Sequence, residues 1–117
     1  MLLGMSDCLF CRFVSGELDT EVVAESDHSF AFRDINPQAP THVLVVPRRH
    51  VENAAELAAA SAVELADLVT LAGQVAAAED ITGGYRMVFN TGAGAGQSVF
   101  HAHLHVLGGR SLQWPPG

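Results

Sequence analysis

Between His42 and Val46 the chain reads His-Val-Leu-Val-Val with almost no polar interruption. A strand solvated on one face alternates, so this run predicts a central strand buried on both faces, closed by Pro47-Arg48-Arg49-His50. Upstream, Val22-Val23-Ala24 and Ser29 to Arg33 are short β-prone runs separated by Ser26-Asp27-His28. They predict a hairpin with Phe30 and Phe32 on one face and His28 exposed at the turn. Asn36-Pro37-Gln38-Ala39-Pro40 is a loop, because its prolines fix φ and remove donors. Leu9, Phe10, Phe13 and Val14 precede the turn signal Ser15-Gly16, which predicts a short helical or irregular piece from about Asp7 to Val14.

From Val51 to Thr82 the chain is dominated by Ala, Leu, Val and Glu. Asn53 to Glu56 and Ser61 to Glu64 are spaced as capping boxes, predicting a short helical turn and then a long helix from about Ser61, stopped by Gly83-Gly84. Leu65, Leu68, Val69, Ala72, Val75 and Ala76 form its apolar stripe. Leu71 and Ala78 extend toward a second face, which predicts packing against a two-fold partner. Tyr85 to Asn90 is a strand, and Thr91 to Ser98, with three alternating glycines, is a loop whose amides can approach an anion.

Val99 to Leu107 is the last strand. Period two sends His101, His103 and His105 to one face and Ala102, Leu104 and Val106 into the core. The elements add up to one α+β domain over residues 1–117: about five antiparallel strands, one long helix and one short, with a cleft on the face opposite the long helix.

At 117 residues, 49% hydrophobic and 16% charged, the chain can fill a single core without disulfides. Its formal net charge is −7, with six arginines and no lysine. That field offers nucleic acid or anionic lipid no counterion-release attraction, so neither is an expected partner. The first residues lack a basic, apolar leader pattern, and no run approaches the ~18 to 20 apolar residues of a membrane span. A soluble, cytoplasmic protein is expected.

Three imidazoles along one strand face, directly after a glycine-rich loop, can contact several oxygens of one phosphate. A solvated histidine row and a three-histidine zinc site are the alternatives, the latter requiring strong strand distortion. Cys8 and Cys11 have the spacing of half a zinc site, and two small buried thiols or a redox pair share that spacing.

His101-Ala102-His103-Leu104-His105-Val106-Leu107 resembles the histidine triad motif. The similarity extends through Phe32 to His42, Gly96-Gln97-Ser98-Val99, Gly108-Gly109-Arg110 and Trp114-Pro115-Pro116-Gly117. The last segment and Pro37 to His42 resemble the Hint branch, the purine nucleoside phosphoramidases. That resemblance implies a homodimer joined through the long helix and an edge strand into one extended sheet. It also implies cleavage of adenosine 5′-phosphoramidates or related conjugates to AMP and an amine through a nucleotidyl-histidine, or alternatively a nucleotide sensor or scaffold whose catalysis is vestigial.

By the same resemblance His103 is the nucleophile. His105, Ser98 and the amides of Gly96 and Gln97 serve the phosphate and leaving group, with His42 and His101 supporting the triad. Asp34 holds the ribose, Phe10, Phe32 and Ile35 enclose the purine, and Asn90 contacts phosphate or ribose. A structural zinc is implied at Cys8, Cys11, His50 and His101, and no cofactor is needed for the chemistry. Many relatives carry His where this chain has Arg33, so no role is carried onto that residue.

Overall fold

The computed structural model describes residues 7–117, and the expectation that the chain opens without a leader lies, for its first six residues, outside them. Five strands form one antiparallel sheet: β1 Val22–Glu25, β2 Ser29–Arg33, β3 Thr41–Pro47, β4 Tyr85–Phe89 and β5 Leu104–Gly108, in the spatial order β1-β2-β3-β5-β4. β3 is central and buried at every position, as its unbroken apolar run predicts. β1 and β2 form the expected hairpin, closed by Ser26 N–H to Ser29 O at 2.9 Å.

Among the described residues there are three α-helices rather than one long and one short: α1 Leu9–Ser15, α2 Ala54–Ala60 and α3 Ala62–Ala78. Asn53 caps α2 and Ser61 caps α3, each side-chain oxygen accepting the amide three residues on. Neither box closes reciprocally. Glu56 accepts from the amide of Glu52, and the Glu64 carboxylate instead pairs with Arg49.

α3 stops at Ala78, before the glycines expected to end it. Asp80 takes a left-handed φ of 57°, with Asp80 N–H to Ala77 O and Ile81 N–H to Ala76 O closing the helix end. The physical reason is Ile81, buried in the core, which draws the chain off the helix axis. The buried stripe is Leu68, Leu71, Ala72, Val75 and Ala76. Leu71 therefore belongs to the core face, while Val69, placed there by the sequence, is 42% exposed.

The sheet has two unlike faces. Ala31, Val43, Val45, Leu104 and Val106 pack on α3, whereas Phe30, Phe32, Leu44 and Val46 pack with Phe10 of α1 on the other side. Arg33 turns to the α3 side, with both terminal nitrogens on the Glu79 carboxylate at 2.7 and 3.0 Å and Nε on Glu21 at 2.9 Å. It ties β2 to the end of α3, a role the sequence left blank.

The last strand is shorter than expected. Pairing with β3 and β4 begins only at Leu104, so residues 99–103 lie outside the sheet, and Ala102 N–H bonds Val51 O instead. Strand periodicity therefore does not govern His101. It leaves the face shared by His103 and His105.

Candidate active site and metal centre

On the α1 side of the sheet, an apolar cavity of about 280 Å³ is lined by Phe10 and Phe13 of α1, Phe32 and Leu44 of the sheet, and the rings of His103 and His105. Asp34, Ile35 and Ser98 also line it. Phe10 meets the His103 ring edge-on, with centroids 5.1 Å apart, and packs in the same way on Phe32. Phe13 and Leu44 went unrecognised in the sequence, where nothing sets them apart from ordinary core residues.

Hydrogen bonding fixes the imidazole tautomers. His103 Nδ1 lies 2.8 Å from the carbonyl oxygen of His101, which can only accept. Nδ1 therefore carries the proton, and neutral His103 presents Nε2 as a lone pair. The amide of Gln38 donates to His42 Nδ1 at 3.0 Å, so neutral His42 is protonated at Nε2. That Nε2 stands 2.9 Å from His105 Nδ1 and 3.5 Å from Asp34 Oδ2. Donation to His105 places the His105 proton on Nε2, a buried atom with no partner among the described residues. Two adjacent rings, with centroids 5.0 Å apart, thus present complementary groups: a lone pair on His103 and an N–H on His105.

Burial keeps His105 and His42 neutral. It is the largest cause lowering His105 to about 4, with His103 and His42 adding like-charge repulsion, and it also lowers His42 against the pull of Asp34. Asp34 has a second task, because its Oδ1 accepts the Asn36 amide at 2.8 Å and shapes the turn before Pro37.

His101 faces elsewhere. Its ring is fully buried, with Nε2–H donated to Pro47 O at 2.8 Å, so Nδ1 is the free lone pair. Nδ1 lies 3.4 Å from Cys8 Sγ, 3.5 Å from Cys11 Sγ and 3.1 Å from His50 Nδ1, and Cys11 Sγ is 3.3 Å from His50 Nδ1. Tetrahedral zinc with ordinary bond lengths has N···S edges of about 3.5 Å and N···N edges of about 3.3 Å. Donor types and spacings both fit that ion. One arm of the site is α1, which also carries Phe10.

The glycine loop departs from expectation. The amides of Gly96 and Gln97 donate to Ala93 O and Gly92 O, and the buried Gln97 side chain bonds Gly92, Glu52 and Val99. Neither amide is available to a phosphate: Gln97 clamps the loop, and Ser98 is the loop residue at the cavity. Asn90 lines a second cavity, together with His42 and His105. His28 is exposed, as expected from the hairpin. Among the described residues no helix is long and apolar enough to cross a membrane.

The HIT domain family matches residues 15–112. The chain is 45% identical over 111 residues to an uncharacterised HIT-like protein of Synechococcus elongatus, covering 95% of this chain and 97% of that one. Among solved structures it is similar to a HIT family hydrolase from Legionella pneumophila, at TM-score 0.90 and 46% identity, covering 95% of this chain and all of that one. A histidine triad protein from Clostridium difficile gives TM-score 0.87 at 33% identity, covering 93% and 96%.

Proposed function

The chain belongs to the HIT domain family, and from that premise we propose that it is a hydrolase-type enzyme cleaving purine nucleoside 5′-phosphoramidates, or related nucleotidyl conjugates, to the nucleoside monophosphate and an amine. The observation that carries the reading is the opposed tautomers of His103 and His105 at one cavity. The His103 Nε2 lone pair attacks phosphorus, the bond from phosphorus to the amine breaks, and the electron pair leaves with the amine nitrogen, which takes up a proton. His105 Nε2–H donates to a phosphoryl oxygen as charge develops. Water then attacks the nucleotidyl-histidine, returning the ring and releasing the monophosphate.

Phe10, Phe32 and Ile35 hold the purine in this reading, Asp34 accepts from the ribose hydroxyls, and Ser98 stands by the leaving group. Zinc at Cys8, Cys11, His50 and His101 is structural and takes no part in the chemistry. The protein acts as a homodimer, supported by the exposed Val63 and Val69 of α3 and by β4, whose outer edge has no partner strand among the described residues.

His103→Ala is expected to abolish turnover of an adenosine phosphoramidate while AMP affinity stays within about tenfold. Quenching the native enzyme in cold alkaline denaturant, which preserves an imidazole-phosphorus bond, should yield a nucleotidylated peptide containing His103. Turnover by the alanine variant, or consumption of substrate with no adduct on that ring, refutes the reading. Light scattering that returns a monomer at micromolar concentration refutes the dimer.

A further inference from the structure

The pairing of β1 with β2 fixes which side chains share a face. Val22 lies opposite Phe32, and the Arg33 amide donates to Glu21 O at 3.0 Å, so the antiparallel register continues beyond the first residue of β1. Directly paired residues point to the same side of a sheet, and successive ones alternate. Glu21 accordingly follows Arg33 to the α3 side, where Arg33 Nε donates to its carboxylate at 2.9 Å. The next pair in that register is Thr20 and Asp34. It falls on the α1 side, and both residues line the apolar cavity there.

A ribose diol brings two O–H donors together with the lone pairs of two oxygens. A carboxylate can only accept, so Asp34 answers the donors and leaves the sugar oxygens without a partner. Its Oδ1 already accepts the Asn36 amide at 2.8 Å. The missing element is a donor beside Asp34.

Five residues lining the cavity carry side-chain donors: Thr20, Arg33, Ser98, His103 and His105. All three guanidinium nitrogens of Arg33 are committed to Glu21 and Glu79, and His103 spends its proton on the His101 carbonyl. Ser98 and His105 stand at the phosphate end in the proposed reaction. Thr20 is half-buried, and its hydroxyl makes no hydrogen bond to another described residue.

We propose that Thr20 is a sugar-binding residue, whose hydroxyl donates to a ribose oxygen while Asp34 accepts from the ribose O–H groups, so that the pair selects an intact ribose over a deoxy sugar. The proposal rests on the cavity being a nucleotide site and on nothing in the cleavage chemistry. The sugar is remote from the bond that breaks. Thr20 therefore holds ground state and transition state alike, and its loss raises KM while leaving kcat unchanged.

Calorimetric titration of AMP, 2′-deoxy-AMP and 3′-deoxy-AMP into the native protein and into Thr20→Val tests this, since valine keeps the branched shape and removes only the hydroxyl. The native protein is expected to bind AMP about tenfold or more tighter than at least one of the deoxy analogues. Thr20→Val should weaken AMP about fivefold and that analogue by less than about twofold, because the two deletions remove the same hydrogen bond. Thr20→Ser should bring AMP affinity back to within about twofold of native. On an adenosine phosphoramidate, Thr20→Val should raise KM about fivefold at unchanged kcat.

Unchanged AMP affinity in Thr20→Val, or equal weakening of AMP and both deoxy analogues, overturns the proposal and leaves the nucleotide site standing. A native protein that binds none of the three nucleotides overturns the nucleotide site and the proposal with it. If AMP binds but no phosphoramidate is cleaved, the reaction assignment fails on its own and the titrations decide the role of Thr20.

Discussion

The backbone carbonyl of His101 accepts the Nδ1 proton of His103 at 2.8 Å, while the His101 ring stands among Cys8, Cys11 and His50. One residue thus belongs to two centres. Its side chain completes the metal-ligating cluster, and its main chain sets the tautomer of the neighbouring imidazole.

Protein purified without added metal is therefore expected to carry close to one zinc per chain. Cys11→Ser should lose the metal and lower Tm by about 5 °C or more, since binding to such a site is coupled to folding. Elemental analysis with thermal unfolding checks this. A metal-free native protein with a serine variant of unchanged Tm contradicts it.

His42 stands between the Gln38 amide and His105 Nδ1. His42→Ala frees His105 to place its proton on either nitrogen. Because the residue acts through another, the expected result is a kcat lower by about tenfold to a hundredfold with KM little changed. Steady-state kinetics that show the reverse split would remove His42 from the positioning role.

The pH dependence has a fixed sign. Burial lowers His105 from 6.5 to about 4 in the folded protein, and lowers His42 as well. Above pH 6.5 neither folded nor unfolded chain holds these protons. As pH falls from 6.5 toward 4 the unfolded chain takes them up first, so stability declines across that window. The urea midpoint should fall over this range, and less steeply in His105→Asn. Ring nitrogen shifts of His105 that report the imidazolium at about pH 6 would contradict the assignment.

A Cβ added at Gly108 would lie 2.7 Å from Ile81 Cδ1 and 3.1 Å from Ile81 Cβ, against a side chain held in the core. Gly108→Ala is expected to cost about 1 to 3 kcal/mol by overpacking, measured by urea unfolding. In Ile81→Ala the same change should cost less, because the colliding atoms are gone.

The sequence by itself determined most of the elements, though not all their ends, and the chemical inventory. Uninterrupted apolar residues marked the central strand, alternation placed Phe30 and Phe32 on one face, and Asn53 and Ser61 announced two helix starts. Each of these is a local property, set by neighbours within a few positions, and the histidine pattern was equally plain.

Only the tertiary structure decided what those groups face. Periodicity put three histidines on one surface, but a strand exists only where partner strands reach it. Pairing that starts at Leu104 leaves His101 free to turn toward the cysteines. Ile81 ended α3 ahead of the glycines because its place in the core outweighed the local stop signal. Arg86 on β4 came to donate to the carbonyl of Gln113 because β4 runs beside β5 and the chain that follows it turns back across that edge. Which carbonyl, carboxylate or empty space a side chain meets depends on segments distant in the chain, and no local pattern records them.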